Sequence, residues 1–169
     1  TGAGATGEAV VRNCDVLCFT GSVRTGRRVG ELAAQVFIPC HLELGGKDAA
    51  IVCADADIDL AVRALTFGSM VNAGQTCMSI ERCYVHRSIH DKFAAALAAS
   101  VGKLKHCHPS LEDGEIGPII AAIQAPIVQR HLEDAYAKGA RALTGGQVVH
   151  LGGGDWLEPT VLVEATQDM

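Results

Sequence analysis

Two short segments carry the residue types that could do chemistry. They are Glu-Leu-Gly-Gly-Lys at positions 43–47 and Gly-Gln-Thr-Cys at positions 74–77. Each segment contains glycine, which lets the backbone approach a ligand closely. A thiol and a carboxylate brought together in one cleft supply a nucleophile and a proton acceptor. Cys77 and Glu43 therefore predict chemistry that proceeds through a thioester.

The composition sets limits on the class of protein. The chain has 169 residues, of which 49% are hydrophobic and 20% are charged, and its net charge is −5. This is enough apolar sequence for about one domain with a core, and it argues against extended disorder. The acidic balance argues against a nucleic-acid partner. We expect Arg24, Arg27 and Arg28 to form a solvated helix face, with a phosphate contact as the alternative.

The chain carries no sign of a membrane span or a metal site. No segment approaches the roughly 18 consecutive apolar residues that a span requires. Although His106, Cys107 and His108 are adjacent, no second ligand cluster accompanies them. We therefore expect a solvated loop there and no bound metal.

Seven cysteines occur without a CxxC pair. This pattern predicts reduced thiols in a cytoplasmic protein. Four of them fall in apolar runs, where cysteine packs as a small hydrophobe; we expect these to be buried, namely Cys14, Cys18, Cys53 and Cys83. Cys77 instead follows Gly-Gln-Thr, which predicts a turn.

Apolar strands alternate with amphipathic helices along the chain, which predicts an α/β fold with parallel sheets. The predicted strands are 16–20, 41–44, 49–53, 82–86, 141–144 and 160–163. The first predicted helix covers 22–35, and the second is capped by Asp55 or Asp57 and ends before Gly74. The third begins with a capping box at 88–91, and the fourth runs from Pro126 to Gly139. We expect loops at 105–118 and at the glycine-rich stretch 145–154.

The motifs together resemble those of the aldehyde dehydrogenase superfamily. They are Phe-Thr-Gly-Ser at 19–22 with Gly26, Glu-Leu-Gly-Gly-Lys at 43–47, Ala-Asp-Ala-Asp at 54–57, Gly-Gln-Thr-Cys at 74–77 and Glu-Pro-Thr at 158–160, in the family's order. The stretch 74–85 looks most like the bacterial succinate-semialdehyde and broad-specificity branch. The resemblance implies parallel sheets with flanking helices, truncated at both ends. It places residues 1–44 in the C-terminal part of an NAD(P)-binding Rossmann-like domain and residues 45–169 in part of a catalytic domain.

The resemblance also implies a reaction, the oxidation of an aldehyde to a carboxylic acid with NAD or NADP. Cys77 would attack the aldehyde carbonyl, and its own backbone N–H would contribute to the oxyanion hole. Glu43 would activate the water that hydrolyses the resulting thioester. Phe67 and Met78 are the candidates for lining the path of the aldehyde.

Cofactor binding is implied for two groups of residues. One group matches the family's pyrophosphate-binding turn, where helix N-terminal amides favour phosphate; it comprises Thr20, Gly21, Ser22 and Gly26. The other, Leu44 and Gly45, matches positions that line the nicotinamide pocket. Ser22 could alternatively act only as a helix cap. Lys47 is interpreted as structural, and Asn72 as a residue that shapes the turn.

Two other functions stay open. An acylating dehydrogenase would pass the thioester to coenzyme A, but such members usually lack the base at the position of Glu43. An inactive fragment or scaffold of the same fold would need neither Cys77 nor Glu43. We expect an oligomer of identical subunits for the full-length protein, no membrane or nucleic-acid partner, and no dehydrogenase turnover from a polypeptide of these 169 residues alone.

Overall fold

The computed structural model describes residues 2–169. These residues divide into two compact units, 2–46 and 47–169. Within the described residues, none of the helices combines the length and the apolar character needed to cross a membrane.

The first unit is a parallel strand pair covered by helices. Its elements are α1 (Gly4–Val11), β1 (Leu17–Gly21), α2 (Val23–Val36) and β2 (Cys40–Leu44). Strands β1 and β2 run parallel, with α2 as the connection between them. The small core of this unit contains Val11, Leu32 and Ala33, each at most 3% exposed.

The second unit combines one parallel pair with two antiparallel pairs. Its elements are β3 (Asp48–Val52), α3 (Ile58–Met70), β4 (Ile80–Val85), α4 (His90–Val101), α5 (Ala125–Ala137), β5 (Arg141–Thr144), β6 (Val148–Leu151), β7 (Gly154–Leu157) and β8 (Val161–Val163). Strands β3 and β4 are parallel, whereas β5 pairs with β8 and β6 with β7 in antiparallel fashion.

The core of the second unit forms where α3 and α4 pack together. Phe93, Leu97 and Val101 recur at four-residue spacing on α4 and are buried against Val62 and Leu65 of α3. This spacing places the side chains of each helix on one face. Burying a side chain of this size contributes roughly 1.5–3 kcal/mol, so this contact holds α3 in place, and α3 ends at the segment that leads to Cys77.

The predicted α/β fold with parallel sheets and flanking helices is confirmed. The structure also decides between the two candidate caps of α3, because Asp57 Oδ1 accepts a hydrogen bond from the Leu60 N–H at 3.0 Å. Pro126 lies in the first turn of α5. Proline has no N–H, and this costs nothing here because first-turn N–H groups have no acceptor within the helix. Gly139, at a φ of 97°, follows the end of the same helix as predicted.

The glycine-rich stretch 145–154 was predicted as a loop, and that prediction is wrong. It contains β6 and the first residue of β7. Gly152 and Gly153 connect the two strands at φ values of 57° and 82°. Two glycines with positive φ favour a tight hairpin turn, so the glycines that indicated a loop in fact join two strands.

The capping box predicted at 88–91 is also wrong. Residues Arg87–Ile89 form a short 3₁₀ turn capped by His86, and α4 begins at His90 without a side-chain cap. A capping box is instead present at Ser110, with Asp113 as its acidic partner. Ser88 and Ser110 are each followed by an aspartate three residues later. Ser88 lies inside the 3₁₀ turn before α4 and so is not the N-cap of that helix.

The burial predicted for the cysteines fails at three positions. Cys18, Cys53 and Cys83 are exposed, while Cys14 is half-buried. Side chains alternate between the two faces of a strand, and Cys18 and Cys83 lie on the uncovered faces of two-stranded pairs. Apolar character in the sequence therefore did not distinguish a covered face from an uncovered one.

Candidate active site

In the first unit, the proposed base lies beside the proposed cofactor turn. Thr20 of β1 is the register partner of Glu43 in β2, and Gly21 is the partner of Leu44. Because the strands are parallel, their carboxyl ends meet at one edge, which is where ligands bind in open α/β sheets. Glu43 is exposed at this edge, so its carboxylate is accessible to solvent and to a ligand.

The start of α2 follows β1 directly and presents backbone donors. Ser22 is its N-cap, and its Oγ accepts a hydrogen bond from the Thr25 N–H at 3.2 Å. The first amides of a helix have no acceptor within the helix. Ser22 satisfies one of them. Within residues 2–169 no group accepts from the N–H groups of Val23 and Arg24, so both can bind an anion.

Gly26 of α2 lies against the side chain of Leu44 in β2. A Cβ atom at Gly26 would lie 2.6 Å from Leu44 Cδ2, a distance that real side chains do not tolerate. Gly26 is buried, so the absence of a side chain permits the helix to pack against the strand. Gly26 thus acts in this structure through packing, and it keeps the start of α2 near the end of β2.

In the second unit, the segment before Cys77 is a strained turn. Asn72, Ala73 and Gly74 have φ values of 53°, 56° and 73°. Glycine and asparagine adopt left-handed backbone readily, but alanine does so at a cost of about 1–2 kcal/mol. The Gln75 N–H donates to Asn72 O at 3.1 Å, and Asn72 Nδ2 donates to Gln75 O at 3.1 Å. Asn72 therefore shapes this turn with both its backbone and its side chain, as predicted.

A second turn follows at once and presents the thiol. The Ser79 N–H donates to Thr76 O at 3.3 Å, so Cys77 and Met78 are the two central residues of the turn. Cys77 is exposed, and Met78 is 75% exposed. Across residues 2–169, no backbone or side-chain oxygen accepts a hydrogen bond from the Cys77 N–H. The free amide beside the sulfur fits the predicted contribution to an oxyanion hole.

Lys47 has a structural contact, in keeping with its interpretation from the sequence. Its Nζ lies 2.7 Å from Glu81 Oε2, an ion pair that joins the start of β3 to β4. Glu81 also lines a cleft of about 630 Å³ together with Gly74, Gln75 and Glu158. Cys77 is absent from the described walls of this cleft, so the cleft is not assigned to the chemistry of the thiol.

The segment His106–His108 makes packing contacts. The His106 ring lies 5.2 Å from the ring of Trp156, and its Nε2 is 3.1 Å from Leu157 O. The Cys107 thiol donates to Gly114 O at 2.9 Å. Within the part of the chain that the structure describes, no three His, Cys, Asp or Glu side chains form a group that could hold a metal ion.

The predicted site residues are distributed between the two units. The first unit holds the base and the cofactor-binding candidates, namely Thr20, Gly21, Ser22, Gly26, Glu43, Leu44 and Gly45, and the second unit holds Cys77. The approach of Cys77 to Glu43 therefore stays a prediction. Gln75 belongs to the Gly-Gln-Thr-Cys motif, and the sequence carries no further signal for the contacts of its side chain.

Comparison with known proteins identifies the family of this chain. The model of the aldehyde dehydrogenase family matches residues 1–169. The chain is 41% identical, over 165 residues, to the NADP(+)-dependent succinate-semialdehyde dehydrogenase of Escherichia coli K12, covering 96% of this chain and 34% of that protein.

Solved structures are similar as well. Succinate-semialdehyde dehydrogenase from Burkholderia pseudomallei superposes with a TM-score of 0.93 at 40% identity, covering 100% of this chain and 36% of that one. Betaine aldehyde dehydrogenase from Staphylococcus aureus, solved with NAD+, gives a TM-score of 0.89 at 34% identity and covers 99% of this chain and 34% of that one.

The chain belongs to the aldehyde dehydrogenase family. It spans about a third of the length of the relatives that it matches.

Proposed function

We propose that this chain carries the nucleophile and the general base of an NAD(P)-dependent aldehyde dehydrogenase, which oxidises an aldehyde to a carboxylic acid. The observation that supports this most is the exposed thiol of Cys77 on a turn that directly follows the strained backbone of residues 72–74. Strained backbone persists only where the surrounding structure imposes it, and it concentrates at functional sites.

Cys77 would form the covalent bond to the substrate. Its thiolate attacks the aldehyde carbonyl carbon, and the carbonyl oxygen takes the negative charge of a thiohemiacetal. The free N–H of Cys77 donates to that oxygen. Met78 and Phe67, which are 75% and 71% exposed, are the candidates for contact with the apolar part of the aldehyde.

Glu43 would complete the reaction as a general base. Loss of hydride from the thiohemiacetal carbon leaves a thioester on Cys77. The Glu43 carboxylate removes a proton from water as the water attacks the thioester carbonyl, and the carboxylic acid leaves with the thiol restored. Glu43 is exposed and lies at the end of β2, so a water molecule can reach it.

The residues at the end of β1 fit a dinucleotide. Two free amides at the start of α2 and the positive end of the helix dipole suit a diphosphate. Gly26 allows the helix to approach β2, and Leu44 and Gly45 would line the pocket for the nicotinamide. When bound, NAD+ or NADP+ accepts the hydride. Relatives of both kinds are known, since one is named for NADP(+) and another was solved with NAD+.

The aldehyde itself is proposed only as a class. The relatives are named for succinate semialdehyde, glutarate semialdehyde, vanillin and betaine aldehyde, which differ in charge and size. The expectations of an oligomer of identical subunits and of a cytoplasmic location rest on the resemblance and stay predictions.

A chimaera tests the proposed function. Residues 1–169 replace the matching segment of the Escherichia coli enzyme, and NADPH formation from succinate semialdehyde is followed by absorbance. We expect an active chimaera that loses about three orders of magnitude or more of its kcat after Cys77→Ser. Cys53→Ser, which removes another exposed thiol of the same unit, serves as the control and should leave kcat unchanged. Full activity of Cys77→Ser would exclude the covalent mechanism.

A further inference from the structure

Residues 72–79 form two successive turns, called the Cys77 turn here. The side chain of Gln75 connects this segment to a separate loop. Its Nε2 donates to Pro118 O at 3.0 Å and to Asn72 O at 3.3 Å, while its Oε1 accepts from the Ile120 N–H at 2.8 Å. The carboxamide therefore donates and accepts along one short segment, as a peptide group does between two strands. A glutamine carboxamide has two N–H donors and one acceptor oxygen, and Gln75 uses both its nitrogen and its oxygen on backbone groups.

The segment that Gln75 binds is itself anchored. The Ile119 N–H donates to Asp155 O at 2.8 Å, and Asp155 lies in β7. The backbone of residues 118–120 thus bonds to Gln75 on one side and to a strand on the other. Gln75 consequently fixes the Cys77 turn to the β6–β7 hairpin.

The turn needs such an anchor. Asn72 and Ala73 hold left-handed backbone that alanine does not adopt without restraint. Backbone hydrogen bonds close the two successive turns 72–75 and 76–79, and Gln75 ends the first. Fixing this one residue determines the path of the backbone two positions before the sulfur.

We propose that Gln75 is a positioning residue for Cys77. Its carboxamide holds the left-handed turn in place and thereby directs the thiol and the free N–H of Cys77. This inference rests on the proposed function only in taking Cys77 as the nucleophile. Gln75 does not contact the substrate; it acts through the backbone that carries Cys77.

The test uses the 169-residue chain and needs neither aldehyde nor cofactor. Gln75→Met keeps the length of the side chain and removes all three hydrogen bonds, whereas Gln75→Glu keeps only the acceptor for the Ile120 N–H. Amide hydrogen exchange is measured by NMR on isotope-labelled protein. The alkylation rate of Cys77 by iodoacetamide is measured by mass spectrometry relative to that of Cys53, an exposed thiol.

In Gln75→Met we expect hydrogen exchange of the backbone amides of Ile120 and of residue 75 to accelerate about tenfold or more. The exchange rates of the backbone amides of α4 should stay within about twofold. The ratio of Cys77 to Cys53 alkylation should rise about threefold or more, because the released thiol can be approached from more directions. In Gln75→Glu the backbone amide of Ile120 should stay protected from exchange, and the backbone amide of residue 75 should not.

The control is Gln129→Met, which removes a surface hydrogen bond to Glu133 on α5 and should change none of these quantities. An unchanged alkylation ratio in Gln75→Met, or equal acceleration of exchange in α4, would overturn the proposal by reducing Gln75 to a purely structural contact. Failure of the proposed function would appear separately, as full activity of Cys77→Ser in the chimaera.

Discussion

Thr20 and Glu43 are direct register partners in the parallel pair β1–β2. Thr20, one residue before the end of β1, and the proposed base therefore share one edge of the sheet. Parallel strands place their carboxyl ends together, so two motifs that are far apart in sequence become neighbours. This relationship connects the proposed cofactor turn to the proposed hydrolytic step.

The first prediction concerns Glu43. In the active chimaera, Glu43→Gln removes the base and keeps the shape of the side chain, so hydride loss proceeds while hydrolysis of the thioester slows. We expect a burst of NADPH of about one equivalent per site, followed by a steady-state rate lower by about 10²–10⁴-fold. Rapid-mixing absorbance measures both phases.

The control for this prediction is Glu81→Gln, which removes a carboxylate that pairs with Lys47 at 2.7 Å. It should give no burst. If Glu43→Gln keeps the normal steady-state rate, another group activates the water. If coenzyme A restores the rate of the variant and acyl-coenzyme A accumulates, the acylating reaction becomes the better assignment.

The second prediction concerns two glycines of one loop. A Cβ at Gly114 would lie 2.3 Å from Lys105 O and 2.6 Å from His106 O, whereas a Cβ at Gly117 meets nothing within 4 Å. Backbone atoms cannot move aside as a flexible side chain can. We expect Gly114→Ala to lower the free energy of unfolding by about 2 kcal/mol or more, and Gly117→Ala to change it by less than about 0.5 kcal/mol.

Urea denaturation followed by circular dichroism measures both glycine variants. Equal stability of Gly114→Ala and the parent chain would mean that the strand-like contact between residues 105–106 and 114–116 does not form in solution. The Cys107 thiol, which donates to Gly114 O, provides a local check, since its alkylation should accelerate only in Gly114→Ala.

The third prediction concerns the residue next to the thiol. Thr76 Oγ1 is buried, and no hydrogen-bond partner lies near it within residues 2–169. A buried hydroxyl without a partner costs about 1–3 kcal/mol. Thr76→Val replaces it by a methyl group of the same shape, and we expect it to raise the free energy of unfolding by about 1 kcal/mol.

Thr76→Ser provides the comparison, because it retains the hydroxyl and removes the methyl group. It should be destabilising by about 1 kcal/mol. The two variants thus move in opposite directions in the same denaturation experiment. Destabilisation by Thr76→Val would instead indicate that the hydroxyl has a partner in solution.

The sequence predicted the elements whose signals are local. The alternation of apolar strands with amphipathic helices identified α4, and proline followed by a terminal glycine identified α5. Signals that depend on distant partners failed. Cys18 and Cys83 lie in apolar strands, but burial requires a layer over each face, and the sequence does not state which face is covered.

The hairpin β6–β7 has only part of a local signal. Gly152 and Gly153 form a Gly-Gly pair typical of a two-residue hairpin turn, but β7 begins with Gly154 and Asp155, which are residue types depleted in strands. The side-chain contacts of Gln75 are different in kind. The contacts to Pro118 and Ile120 join residues 43 and 45 positions apart, and no local pattern reports such a contact.

The last prediction concerns the N-cap of α3. The sequence offered Asp55 and Asp57, and in the structure Asp57 Oδ1 accepts from the Leu60 N–H at 3.0 Å. An N-cap carboxylate satisfies a free amide and interacts favourably with the helix dipole. We expect Asp57→Ala to lower the free energy of unfolding by about 1 kcal/mol, and Asp55→Ala to change it by less than about 0.5 kcal/mol.

Asp57→Asn should retain most of the stability, because its side-chain oxygen still accepts the bond. α3 leads directly into the turn before Cys77. In Asp57→Ala, hydrogen exchange of the Gln75 backbone amide should therefore accelerate by no more than that of the α3 amides. Equal losses in Asp55→Ala and Asp57→Ala, measured by urea denaturation, would show that general charge near the helix start, and not the hydrogen bond, stabilises α3.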